Sequence, residues 1–294
     1  MERFQGVSPA TASPEDSAEN VRFSPLIAAA GATLAVCVLS PGLTHLTGDD
    51  AWYPVPLFAA LIALWWRLRM TRADVGLKRG RGFYGRATLL PLVVVGSVVW
   101  LATLVGATRV GETPIRLLGL QVTTMAFMTA MGTVVTEDGL FRGALWGALD
   151  RAGLSKDAIL LWTASASVVW YIPIITMLPS PVGGAEAMLV RGLNLWLLAL
   201  CWGVLRIVSG SVLVVAWSHG LWNGLAYTLF GFGAATGAMG VVDPLRFDPE
   251  RGWAGVAINA LALVFLCRWW RRHAASEADD AAEDAADDPA ADAP

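Results

Sequence analysis

Charge is scarce in this chain. Of its 294 residues only 15% are Asp, Glu, Lys or Arg, where a soluble domain carries about 25%. That deficit excludes an ordinary soluble enzyme. Cysteine and histidine are rarer still, three of each. Cys37, Cys201 and Cys267 all lie inside apolar runs, without paired spacing or a histidine neighbour. They read as small buried hydrophobes, which leaves no disulfide framework and no zinc knuckle. His45, His219 and His273 are far apart and form no H-E-x-x-H motif, so a zinc site is not expected. No glycine-rich phosphate loop and no Ser/His/Asp triad stands out. Ser165, Ser167, Ser209, Ser211 and Ser218 read as helix-packing residues. The polar start, residues 1–24, lacks the basic end and short apolar core of a signal peptide.

What the chain has in excess is apolar length. Hydrophobic residues make up 55% of it, with 14 tryptophans and a mean hydropathy of +0.55. Tryptophan suits the membrane interface, where its ring is apolar and its N–H is wet. Eight of the acidic residues follow Ser276 with no base among them, and without them the formal charge moves from −3 to +5. Residues 1–24 and 273–294 therefore read as disordered tails, the second one acidic, flanking a weakly basic apolar domain at 25–272. That domain contains apolar segments at about 25–44, 52–67, 87–107, 117–136, 158–178, 192–208, 211–230 and 253–269. A span needs about 20 such residues, and lipid offers the backbone no partners, so the spans are helices. The expectation is an all-α polytopic bundle of about eight transmembrane helices. Arg67, Arg69, Arg72, Lys78, Arg79, Arg81 and Arg86 lie between spans two and three, which by the positive-inside rule makes that loop cytoplasmic. Alternation then puts both termini in the cytoplasm, with Arg151, Lys156 and Arg206 on the same side. Asp49, Asp50, Asp243, Asp248 and Glu250 fall outside. The basic loop is juxtamembrane, so lipid headgroups account for it better than nucleic acid. No internal repeat supports a transporter.

Few ionisable groups reach membrane depth. A charge at the bilayer centre costs roughly 2.5–3.5 kcal/mol on insertion scales, so those present are functional candidates. The first cluster is T-E-D-G-L-F-R-G-A-L, residues 136–145. On a helix Asp138 and Arg142 are i, i+4, acid first, the favourable order for an ion pair. Glu137 lies about 100° round the helix and can point into the bundle. A carboxylate in an apolar wall suits a general base. The same residues also read as a helix-end ion pair beside a solvated glutamate. The second cluster is H-G-L-W-N, where His219 and Asn223 share a helix face. They could orient a water or donate to an oxyanion, or simply tie helices together.

E-D-x-x-x-R followed about eighty residues later by H-x-x-x-N, on eight spans, resembles the CPBP family of type II CAAX prenyl proteases and bacteriocin-processing or self-immunity membrane proteins. E-D-G-L-F-R-G-A-L-W and S-H-G-L-W-N-G-L-A-Y carry the resemblance, T-R-A-D-V-G-L adds to it, and it covers about residues 50–232. The sequence departs from the family pattern at two places. Asp138 replaces the second glutamate of the first motif. In the middle motif, F-x-x-x-H, the best register puts Ser167 at the phenylalanine and Tyr171 at the histidine. The resemblance implies an intramembrane glutamic endopeptidase with a conical cavity open to the cytoplasm or lipid. Glu137 would activate water, His219 and Asn223 would hold the water or oxyanion, Tyr171 would take over part of the missing histidine's work, and Asp138 and Arg142 would give structural support. No cofactor or metal is implied. The expected partners are the bilayer of the plasma membrane and a membrane-associated peptide or protein substrate. The alternative is a catalytically silent member that binds a membrane peptide or acts in immunity.

Overall fold

The computed structural model describes residues 14–80, 82–111, 113–177, 183–233 and 235–286. Among them every regular element is helical. In chain order these are α1 (Pro14–Thr47), α2 (Val55–Arg67), α3 (Tyr84–Leu104), α4 (Ile115–Val135), a π-helical segment (Asp138–Ala144), α5 (Leu145–Arg151), α6 (Lys156–Met177), α7 (Ala185–Ser209), α8 (Val212–Phe230), the single turn α9 (Pro244–Phe247) and α10 (Trp253–Ala286). The chain is a polytopic helical membrane bundle. Each of the eight apolar segments lies on its own helix. Six of these, α1, α3, α4, α6, α7 and α10, are long and apolar enough to cross a membrane. With 13 residues, α2 is about 20 Å long, short of a hydrocarbon core of about 30 Å. With 19 residues α8 is long enough, but His219 and Asn223 dilute its apolar content. Helix extends past the apolar runs at both ends, from Pro14 and to Ala286; the outermost parts of the two expected tails, 1–13 and 287–294, lie outside the described residues.

The centre of the bundle is α7 with α8. Two-thirds of the span in α7 is buried, against 17% in α1, α4 and α10. Only Gly210 and Ser211 separate the two helices. Gly210 takes the left-handed conformation (φ 63°) that ends a helix without a side-chain clash. The Ser211 hydroxyl then accepts the Val214 amide as the N-cap of α8. The fold also needs α8 close to α4. Gly220 and Gly224 sit against α4, where a Cβ would come within 2.3 Å of the Ala126 carbonyl oxygen and 2.5 Å of that of Val122. Position 220 meets 126 and position 224 meets 122, so the helices are antiparallel. This is the G-x-x-x-G device of membrane helices, in which small residues let backbones touch.

The loops gather at the two ends of the bundle. At one end Arg109 and Gly111 donate backbone hydrogen bonds to Met239 and Ala238, and Val242 donates to Ala107. At the other, the loop after α2 is tied to α5 and to the α7–α8 turn. Arg151 donates to the Leu68 carbonyl (2.5 Å) and pairs with Asp74 (2.7 Å), and Val212 N–H donates to Gly76 (2.9 Å).

Candidate active site

The first motif does not continue α4. That helix stops at Val135, and Thr136 turns the chain away with φ −126° and ψ −101°. Residues 138–144 follow as a π-turn, a rare geometry found mostly at functional positions. Gly139 makes the break possible, because a Cβ there would lie 2.0 Å from the Val134 carbonyl oxygen. The straight-helix expectation for Asp138 and Arg142 is thereby corrected: they are ion-paired, but at a loose 3.5 Å. Asp138 makes its shorter contact across the bundle, where its Oδ2 lies 3.0 Å from His219 Nδ1. Asp138 is fully buried, and Arg142 and His219 are each 3% exposed. The carboxylate therefore joins the two motifs. Trp202 covers the junction, stacked on the His219 ring at 4.0 Å and lying 5.6 Å from the Arg142 guanidinium.

Glu137 is one residue along and looks elsewhere. The Tyr171 hydroxyl donates to its Oε2 at 2.5 Å. Tyr171 is held in place by its neighbour Trp170, whose Nε1–H donates to Ser40 (2.9 Å), whose carbonyl accepts the Tyr53 hydroxyl and whose ring lies 4.8 Å from that of Tyr53. Glu137, Tyr171, His219 and Asn223 line one cavity, together with Arg142 and Ser167. It has room for about one water molecule. Among the described residues no protein group hydrogen-bonds the Asn223 side chain, and the His219 ring nitrogen not facing Asp138 is Nε2. Of the groups lining the cavity, Glu137, Tyr171, His219 and Asn223 supply a carboxylate, a phenol, an imidazole and an amide. That set can take a proton from a water and donate to an oxygen that gains charge.

Several residues of this region carry no signal of their place in the sequence. Arg206, expected at the cytoplasmic surface, is 7% exposed. Its Nε–H donates to the Arg142 carbonyl (2.8 Å) and its guanidinium lies 5.9 Å from the Trp146 ring. Asp248 and Glu250, expected in an outer loop, are 2% and 5% exposed. Glu250 lines the same cavity as Glu137, with Arg191 Nε and Nη2 at 3.2 and 3.1 Å from its Oε1. A loop charge has no hydropathy signature of burial. The Gly220/Gly224 spacing does have a signature, inside the second motif itself.

Among the described residues no three His, Cys, Asp or Glu side chains gather as a metal-holding group. Neither the curated proteins nor the solved structures give a match to this chain. Residues 119–225 match the family described as Type II CAAX prenyl endopeptidase Rce1-like. That stretch runs from α4 through α8 and contains Glu137, Tyr171, His219 and Asn223. With the all-helical membrane bundle and both motifs inside the matched stretch, this similarity over residues 119–225 supports the CPBP family of CAAX-type membrane proteases.

Proposed function

We propose that this protein is a glutamate-dependent intramembrane endopeptidase, with Glu137 as the base that activates the hydrolytic water. The observation that carries the reading is the shared cavity in which Glu137 faces Tyr171, His219 and Asn223. Glu137 takes a proton from water as the water oxygen bonds to the scissile carbonyl carbon. The carbonyl oxygen becomes an oxyanion, for which the Asn223 amide is the available donor. Glu137 then passes the proton to the amide nitrogen as the C–N bond breaks, so acid and amine products form without an outside reactant. Tyr171 donates to the other Glu137 oxygen and orients the carboxylate. Asp138 holds the imidazole of His219 by Nδ1, which aims Nε2 at the cavity and keeps Arg142 neutralised. Removing one donor to a developing oxyanion typically costs 10²–10³ in rate, so Asn223 carries a comparable share here.

Under this reading the basic 67–86 loop and both termini face the cytoplasm, the membrane is the plasma membrane, and the substrate is a membrane-associated peptide or protein. The test is a comparison of membrane peptides between wild type and Glu137→Gln, which keeps shape and removes the base. An uncut precursor that accumulates only in the variant, at equal levels of folded protein, supports the reading. Identical profiles from two well-folded proteins favour the silent, peptide-binding member.

A further inference from the structure

Five buried side-chain polar atoms find no hydrogen-bond partner among the described residues: Thr44 Oγ1, Asp138 Oδ1, Ser218 Oγ, Trp222 Nε1 and Asn259 Oδ1. Of these five residues only Trp222 lines the cavity that holds Glu137. An indole N–H donates in one fixed direction, and a buried one usually finds an acceptor. Trp170, 2% exposed, gives its Nε1–H to the Ser40 hydroxyl at 2.9 Å. Trp222 is 1% exposed and gives its own to no described protein group. A buried donor left unmade is costly, so this one calls for an acceptor that the chain does not supply.

The place of the ring narrows what that acceptor is. On α8, Trp222 lies three residues after His219 and one before Asn223. Positions three and four apart share a helix face, and all three residues line the one cavity. That cavity has room for about one water. A buried water needs about two to four polar partners, and the walls offer both kinds. Tyr171 occupies Oε2 of Glu137, which leaves Oε1 to accept. With Nδ1 of His219 turned to Asp138, a neutral imidazole presents Nε2 as a second acceptor. The Asn223 amide and Trp222 Nε1–H are the donors.

We propose that Trp222 Nε1–H and Glu137 Oε1 together hold the hydrolytic water, with Trp222 as a further catalytic residue that fixes one lone pair of the water oxygen while Glu137 takes one of its hydrogens. That the water is hydrolytic rests on the proposed protease reading; that it is bound there does not. The second lone pair stays free to bond to the scissile carbonyl carbon. As that bond forms, one water proton passes to Glu137. The indole is a donor only, so it keeps its proton throughout. It donates to an oxygen that gains negative charge as the proton leaves, and a hydrogen bond to a charged partner is roughly twice as strong as a neutral one. Trp222 therefore favours the reacting state over the resting one. Water and oxyanion then have separate donors, Trp222 for the first and Asn223 for the second.

The experiment uses the full chain, purified in detergent with isotope-labelled tryptophan, and a proton–nitrogen correlation spectrum of its indole groups. Trp222→Phe deletes one signal and so assigns it. Replacement of Trp222 by β-benzothienylalanine, an isostere with sulfur in place of the N–H, does the same where Trp222→Phe folds poorly. The Trp222 signal should show a cross-peak to water and should move in Glu137→Gln. No cross-peak, or a signal indifferent to Glu137→Gln, overturns the water site. Cleavage of the precursor that Glu137→Gln leaves uncut reads the role. The isostere should lower kcat about tenfold, the share of one hydrogen bond, with KM and melting temperature nearly unchanged. An isostere that cleaves at the wild-type rate, or that changes only KM or stability, overturns the role and makes the ring a packing residue. Cleavage that is equal in Glu137→Gln and wild type refutes the protease reading instead, and the spectrum still decides the water.

Discussion

Asp138→Asn is the substitution that tests the site's architecture most directly. The variant keeps the volume of the side chain and an oxygen for His219, but removes the negative charge. Arg142 is 3% exposed and its ion-pair partner is the Asp138 Oδ1 at 3.5 Å. That oxygen has no hydrogen bond of its own, so the charge is what holds the pair together. Breaking a buried ion pair from one side costs about 3–5 kcal/mol, because the other charge stays buried. At about 2–4 °C per kcal/mol for a chain somewhat smaller than this one, the melting temperature should fall by roughly 6–20 °C. Catalysis should suffer separately. The hydrogen bond between Asp138 and His219, at 3.0 Å, is of the charged kind, worth about 1.5–3 kcal/mol. Asparagine leaves a neutral hydrogen bond of about 0.5–1.5 kcal/mol in its place, and the difference corresponds to roughly a tenfold slower reaction. Thermal unfolding of the purified protein in detergent, followed by tryptophan fluorescence, measures the first effect. Precursor cleavage at a temperature where the variant is folded measures the second. Asp243→Asn is the control, since its pair with Arg246 is exposed, 42% and 74%, and exposed pairs contribute little. An Asp138→Asn protein that melts with Asp243→Asn and cleaves at the wild-type rate would refute the view that Asp138 joins the two motifs.

Three further outcomes follow from the geometry. Tyr171→Phe removes the 2.5 Å donor to Glu137 and leaves the ring, so cleavage should fall about tenfold, by the ~1.5 kcal/mol of one hydrogen bond to a charged group, with the melting temperature nearly unchanged; Tyr171→His should hold or raise activity, and a fully active Tyr171→Phe would make the hydroxyl irrelevant. Gly220→Val forces side-chain atoms against the Ala126 carbonyl and Ala130, backbone that cannot yield. It should cost at least the ~1–3 kcal/mol of overpacking and lower folded yield, whereas the same change at Gly132, which has open space, should be tolerated. Asp74 lies outside the membrane: burial opposes its ionisation, but hydrogen bonds from Thr71 and Arg151 prevail and hold its carboxyl below the usual aspartate range. With the folded pKa depressed, its stabilising contribution is present above the unfolded value of about 3.9 and is lost as pH falls through the folded one. Asp74→Asn should therefore lower stability near neutral pH and flatten the acid limb of the unfolding curve; identical acid limbs would contradict this.

The two motifs are legible in the sequence because lipid is so unforgiving of charge. In a chain this apolar, Glu137, Asp138, Arg142, His219 and Asn223 stand out individually, and hydropathy alone locates the helices that carry them. Local backbone chemistry is legible too: Gly210 and Ser211 spell the α7–α8 reversal. Assembly is not. Whether Asp138 serves Arg142 or His219 depends on α4 breaking at Thr136, a turn that requires Gly139 to lie against Val134. It depends equally on α8 approaching closely enough through Gly220 and Gly224. Hydropathy assigns Arg206 and Glu250 to water because it scores a residue by its neighbours in sequence. Tertiary folding puts both inside, where a hydrogen bond to the Arg142 carbonyl and an ion pair with Arg191 offset the loss of water. The same packing closes the site beneath the basic loop, where Gly76 and Gly80 lie against Arg206 and Val214. Sequence determines which residues must leave lipid; only the packed helices decide which partner each one finds, since that depends on distances between segments 81 to 133 residues apart in the chain.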